Sequence, residues 1–186
     1  MAGPMSLFRT NSLETLLSAD AIADRVRTLG DDIARHYGPV VGAGDALVVV
    51  GILKGSFVFM ADLVRAIDLP MQLEFMGVSS YGDATESSGY VQVTQDLTKP
   101  IEGKHVLVVE DIVDTGLTMK YLQENLATRR PASVKLASLL EKPNKNVAGV
   151  VVDFLGFSIP DRFVVGYGLD AGGLYRNLPF IGVVRS

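Results

Sequence analysis

The sequence predicts an α/β fold: a mostly parallel sheet flanked by helices. Three observations carry this. Apolar, β-branched runs alternate with helical patterns along the chain. Two of those runs, Ala46 to Leu53 and His105 to Val109, lack the apolar–polar alternation of a half-wetted strand, as strands buried on both faces do. The 186 residues contain no repeat and no Pro/Gly/Ser-rich linker, so a single domain spanning 1–186 is expected.

The elements follow in order. Ala19 to Tyr37 is a helix, because Ile22, Val26, Leu29, Ile33 and Tyr37 form one apolar stripe. Ser18 is its expected N-cap, and Gly38-Pro39 stops it. Ala46 to Leu53 is a buried strand, Phe57 to Ile67 a helix, and Met71 to Ser79 and Tyr90 to Gln95 are strands. His105 to Val109 is a second buried strand. Thr118 to Arg129 is a helix with Leu122 and Leu126 on one face; Arg129 and Arg130 suit the negative end of its dipole, and Pro131 follows. Val134 to Leu140, Val147 to Phe154, Phe163 to Tyr167 and Ile181 to Val184 read as later strands. In such sheets ligands bind beyond the carboxyl ends of the strands. Chemistry is therefore expected just after Leu53 and just after Val109.

Composition narrows the classes. The chain is 48% hydrophobic and 20% charged, a globular balance. A formal net charge of -4 argues against nucleic acid as the partner. With no cysteine, a disulfide scaffold and a thiolate zinc site are excluded. His36 and His105 show no metal-ligand spacing. The most apolar stretch, Leu47 to Val64, is broken by Lys54, Gly55 and Asp62, whereas a membrane helix needs about 20 mostly apolar residues. Met1 to Thr10 has no long apolar run, so no secretory signal is read and a cytoplasmic location without membrane contact is expected.

The richest segment is Glu110-Asp111-Ile112-Val113-Asp114-Thr115-Gly116-Leu117-Thr118. Three acids stand at the end of a very apolar strand, where charge is costly unless used. The amides from Asp114 to Thr118 fall where a helix begins; they are unpaired by the helix and sit at its positive end, which favours phosphate. Gly116 allows a sharp turn and close approach to an anion. Thr115 and Thr118 add hydroxyl donors. Glu110 and Asp111 are acceptors suited to sugar hydroxyls or to the waters of a magnesium ion.

The string VLVVEDIVDTGLT resembles the loop with which type I phosphoribosyltransferases bind 5-phosphoribosyl 1-pyrophosphate (PRPP). It is not a Walker loop, which ends in Gly-Lys-Ser/Thr. Leu53-Lys54-Gly55-Ser56, Ser79-Ser80-Tyr81-Gly82, Glu141-Lys142-Pro143, Asp153 to Asp170 and Tyr175-Arg176-Asn177-Leu178-Pro179 extend the resemblance to the hypoxanthine-guanine branch. These segments cover most of the chain from Val48 onward.

The resemblance implies the type I phosphoribosyltransferase fold with a small purine-binding hood formed from the termini. It implies transfer of phosphoribosyl from PRPP to a 6-oxopurine, with Mg2+ as cofactor and a homodimer or homotetramer as assembly. Asp114, Thr115, Gly116, Leu117 and Thr118 would cradle the 5-phosphate. Glu110 and Asp111 would hold the ribose hydroxyls, directly or through magnesium. Asp114 would also lie near N7 of the purine as the catalytic base. An ordinary aspartate is a weak base at neutral pH; either the site makes it more basic or it stabilises a proton already leaving.

Lys54 and Gly55 would meet pyrophosphate, and in the family the peptide before this lysine can be cis. Read alone, Lys54 is a lysine reaching solvent at a strand end. Lys142 would donate to O6 of the purine, Phe163 would stack on it and Val164 would meet its edge, although Val164 alone reads as core. Asp170, at the end of the same string, would complete the purine site and bind a second magnesium. Arg176 would pair with pyrophosphate. The small, polar segment 79–89 would be a mobile lid, with Ser80 and Tyr81 over pyrophosphate, or else an ordinary hairpin loop. Two departures stand out: Leu117 takes a place where some members carry lysine, and Asn144 to Gly149 matches the family pattern poorly. A regulator that senses PRPP while binding RNA or DNA would need a basic face or a helix-turn-helix segment, and neither is seen.

Overall fold

The computed structural model describes residues 13–41, 45–80 and 91–184, with Ser80 described by its backbone alone. Twelve elements follow one another: β1 (Leu13–Leu17), α1 (Ala19–Tyr37), β2 (Leu47–Leu53), α2 (Phe57–Ala66), β3 (Met71–Ser80), β4 (Val91–Gln95), β5 (His105–Val113), α3 (Leu117–Ala127), β6 (Ser133–Glu141), β7 (Phe154–Ser158), β8 (Val164–Val165) and β9 (Ile181–Val184). Six strands make one sheet in the order β4-β3-β2-β5-β6-β7. Every pair in it is parallel except β3 with β4, which is antiparallel. The expected α/β architecture is therefore present.

Both faces of the sheet are buried, and the sequence shows why. Leu47 and Val49 of β2 pack with Ile22, Leu29 and Ile33 of α1 and with Phe59 and Leu63 of α2. Val48, Val50 and Ile52 point the other way, toward Met119, Leu122 and Leu126 of α3. A strand that feeds two cores has no polar face to alternate. The stripe of α1 is buried as read, and Ser18 Oγ accepts from the N–H of Ala21 at 3.2 Å. Arg25, on α1, ties the helix to β7 by donating to the carbonyls of Leu155 and Gly156.

The termini meet in a second, three-stranded sheet, β1-β9-β8, all antiparallel. This is the hood expected from the resemblance. Its first strand, β1, was not predicted.

Several predicted boundaries need correction. β5 does not end at Val109 but continues to Val113, because its parallel pairing with β6 runs on through Glu110↔Ser138 and Val113↔Glu141. Main-chain pairing is indifferent to the acidic side chains it carries. Residues 147–153 are not a strand: Val147 and Val151 are exposed, Gly149 has φ 65°, and the edge strand begins only at Phe154. Of Phe163 to Tyr167 only Val164–Val165 is strand, since Gly166 (φ 100°) and Tyr167 (φ 50°) turn the backbone out of the extended region. α3 starts one residue before Thr118 and ends at Ala127, and α2 ends at Ala66.

The connections position the site. From β2 the chain crosses to β3 on one side; from β5 it crosses to β6 on the other. The winding thus reverses between β2 and β5, where an open sheet leaves a crevice at its carboxyl edge. Pairing of β2 with β5 stops at Gly51↔Val109. Beyond it, both strands run on without each other, and Lys54, Glu110 and Asp111 lie there.

Candidate active site

Three loops converge on this crevice. The first is the turn after β2. The Leu53-Lys54 peptide is cis. Lys54 is exposed, while the Ser56 hydroxyl is buried and donates to the Ile52 carbonyl at 2.6 Å. Gly55 packs so closely that a Cβ there would run into the Asp111 carboxylate. The second is the end of β5 with the turn into α3. The third is 166–178, where a Cβ on Gly168 would strike the Gly55 carbonyl. Glycine at both places lets the Gly55 turn pack on the Asp111 carboxylate and the third loop pack on the Gly55 carbonyl, where a side chain would forbid it.

The turn into α3 has the shape read from its sequence. Gly116 is the N-cap, with φ 78°, a left-handed conformation that favours glycine. Glu110, Asp114, Thr115, Gly116, Thr118 and Met119 are among the residues that line a small cleft of about 90 Å³. Leu117 is not among its lining residues; its side chain is partly exposed on the first turn of α3. Behind the turn lies a wall the sequence did not reveal. Ala148 N–H donates to the Thr115 carbonyl at 3.1 Å. Asn146 bonds the main chain of Val150 in both directions, and a Cβ on Gly116 would stand 2.6 Å from its Oδ1.

The two acids at the end of β5 are held against their preference for water. The Glu110 side chain is partly covered, yet its Oε2 is shut off from solvent with no hydrogen-bond partner. Burial first, and Asp111 second, push its carboxyl well above the usual range. Burial also raises Asp111 to about 6, opposed by the N–H of Ile112 at 2.8 Å and by Arg176. Arg176 pairs with Asp170 at 2.6 Å and donates to the Gly168 carbonyl at 2.6 Å. The other Asp170 oxygen accepts from the N–H of Gly173 at 2.7 Å.

Among the described residues, no group of three or more His, Cys, Asp or Glu forms a metal cage. Glu110 and Asp111 are instead a pair of hard oxygen donors, one with an orphaned oxygen. That set fits magnesium, which keeps waters and substrate oxygens in its sphere. Each Asp170 oxygen has one partner, Arg176 or the N–H of Gly173, and keeps a lone pair free.

At the other end of the cleft, Asp114 meets the loop after β6. Lys142 is buried, and its Nζ lies 3.2 Å from Asp114 Oδ2 and 3.3 Å from Asp161 Oδ1. Lys145 Nζ lies 3.5 Å from Asp114 Oδ1 and 3.3 Å from Asp161 Oδ1. Neither Lys145 nor Asp161 was singled out from the sequence. Phe163, beside them in the chain, leaves 59% of its surface exposed, as a bare stacking platform would. Val164 is buried in β8, paired with Val183 of β9.

The structure thus gathers Gly55, Glu110, Asp111, Asp114, Thr115, Gly116, Thr118, Lys142, Asp170 and Arg176 around the crevice. Tyr81 and most of the 79–89 segment lie outside the described residues, as does the Ser80 side chain.

Known proteins share this architecture. A family model described as "Phosphoribosyl transferase domain" matches residues 12–171. A hypoxanthine-guanine phosphoribosyltransferase of Mycobacterium avium is 45% identical over 98% of this chain and 91% of its own length. One from Streptococcus pneumoniae is 48% identical over 93% of both chains. The crystal structure of a hypoxanthine phosphoribosyltransferase from Staphylococcus aureus superposes with a TM-score of 0.90 at 45% identity, covering 98% of this chain and 97% of that one. No helix among the described residues is long and apolar enough to cross a membrane. A match across most of the chain, in sequence and in fold, places this protein in the phosphoribosyl transferase domain family, in its hypoxanthine-guanine phosphoribosyltransferase branch.

Proposed function

We propose that the chain transfers the 5-phosphoribosyl group of PRPP to hypoxanthine, and to guanine, giving IMP, or GMP, and pyrophosphate. The C1–O bond to pyrophosphate breaks, a C1–N bond to the purine forms, and the purine loses a proton. One observation carries this reading: Asp114 both opens the phosphate turn and touches the buried Lys142. A phosphate site and a purine-edge donor are thereby held a side chain apart.

The roles follow from position. The amides of Asp114 to Thr118, at the start of α3, take the 5-phosphate. Glu110 and Asp111 take the ribose hydroxyls. Lys54, Gly55 and Arg176 face the leaving pyrophosphate. Lys142 donates to O6, so an amino group at that place is rejected as donor against donor. Phe163 covers the purine face, and Val164 meets its edge through the main chain. Asp114 stands at N7 and receives or stabilises the departing proton. The transition state has oxocarbenium character, and most of the work is alignment and fixed charge. Magnesium, held through Glu110 and Asp111 with a second ion at Asp170, neutralises PRPP oxygens when bound.

We also propose self-association as a homodimer or homotetramer. Leu73 and Phe75, on one face of β3, leave 47% and 38% of their surfaces exposed, which supports it. Light scattering reads the assembly, and a monomer at all concentrations removes this part. For the reaction, pyrophosphate release from PRPP with magnesium is followed before and after hypoxanthine is added. Release that needs hypoxanthine and matches IMP formed one to one supports the proposal; release that ignores the base contradicts it.

A further inference from the structure

The charges around Lys142 carry a further assignment. Lys142 has one acidic partner that the proposed chemistry occupies and one that it leaves alone. Asp114 must turn to the purine when the base binds. Asp161 has no part in that step, yet its Oδ1 sits 3.3 Å from both Lys142 Nζ and Lys145 Nζ. We propose that Asp161 is a positioning residue: it keeps the Lys142 ammonium aimed at the 6-oxo group while Asp114 is engaged by the purine. This deepens the function proposed above and rests on it.

The geometry argues the point by counting donors. An ammonium has three N–H bonds. Asp114 and Asp161 take two, which leaves one for O6. Lys142 leaves the surface almost entirely, with 9% of its side chain exposed, so the loss of a counter-charge is felt there more than on an open face. Lys145 closes the square from outside, its Nζ 3.5 Å from Asp114 Oδ1 and 3.3 Å from Asp161 Oδ1. Hydrogen bonding from Lys142, ahead of that from Lys145, holds the Asp161 carboxyl below its ordinary range. Asp161 itself is half exposed, which lets it be replaced without opening the core.

The backbone supports the same role. Lys142 N–H donates to the Val113 carbonyl at 2.9 Å, which fixes the stem of the lysine beside the phosphate turn. That bond holds the lysine's root but not its four-carbon arm. In this structure the arm is steered by its two carboxylates, and Asp161 is the one that no substrate claims.

The test is steady-state kinetics on the full chain, with wild type, Asp161→Asn and Asp161→Glu. Hypoxanthine is varied at saturating PRPP and magnesium, and PRPP is varied at saturating hypoxanthine. Asp161→Asn is expected to raise KM for hypoxanthine about tenfold, the scale of one charged hydrogen bond, and to leave KM for PRPP unchanged. Asp161→Glu is expected to restore most of the loss, which a purely structural role would not do. An unchanged hypoxanthine KM, or equal rises in both KM values, overturns the assignment. Failure of the underlying function looks different, because wild type itself would then make no IMP.

Discussion

The ammonium of Lys142 lies 3.2 Å from the carboxylate of Asp114, although 27 residues separate them in the chain, and each directly follows one of two adjacent parallel strands, β6 and β5. One residue belongs to the phosphate turn and the other to the loop that follows β6. Their contact joins the two halves of the proposed reaction, and it orders the expectations below.

Asp114→Asn keeps the shape of the turn and removes the basic oxygen. PRPP binding is expected to stay near wild type, while kcat falls about 10²-fold or more, the usual contribution of a positioned acid or base. Titration with PRPP and single-turnover kinetics separate the two. Unchanged turnover would remove Asp114 from the proton's path.

Lys142→Ala is expected to act on the purine side. KM for hypoxanthine should rise by at least tenfold, the cost of a lost charged hydrogen bond, with a much smaller change in KM for PRPP. Equal losses on both sides would count against the O6 contact.

Gly116→Ala places a Cβ against Asn146 and strains a backbone at φ 78°. A cost of about 1–3 kcal/mol is expected for such a position. Both Tm and PRPP affinity should fall. Asn146→Ala itself costs stability, because it removes the bonds to Val150 and Glu141, so the collision is read as a smaller Tm loss on Gly116→Ala in the Asn146→Ala background than in wild type.

Asp111 gives a pH signature in the ligand-free protein. Its folded-state carboxyl is raised from 3.8 to about 6 by burial. Below about pH 3, well under the unfolded value, its proton is kept in both folded and unfolded chains. Between about pH 4 and 6 the unfolded chain releases it first, so the folded state loses stability as pH rises. Asp111→Asn escapes that penalty. Without magnesium or PRPP, the variant is expected to be the more stable at pH 7, by on the order of 1–3 kcal/mol, and to match wild type at about pH 3. Thermal melts at the two values check this, at about 2–4 °C per kcal/mol. A gap that does not grow with pH contradicts it.

Local pattern made much of this fold legible. The stripe from Ile22 to Tyr37 marked α1 to the residue, and the uninterrupted apolar runs of β2 and β5 announced a sheet covered on both faces. Glu110 and Asp111 were legible as site residues because acids at the end of such a strand conflict with their surroundings. They were misplaced into a loop because the bonds that extend β5 come from β6, in a distant part of the chain. β1 escaped notice for a similar reason: Leu13–Leu17 becomes a strand by pairing with β9, 164 or more residues away in the chain. The valines of 147–153 looked like a strand, but the wall they form behind the phosphate turn is set by Asn146, whose three contacts cannot be read from spacing. Lys145 and Asp161 were hidden because a lysine and an aspartate in polar loops look like ordinary surface charges until the loops are brought together.

The most direct measurement is nucleotide formation from PRPP and magnesium with hypoxanthine, guanine, xanthine and adenine offered separately. The account expects product with hypoxanthine or guanine and none with adenine, whose amino group would face the Lys142 donor. Product with adenine, or none with any purine, would contradict it.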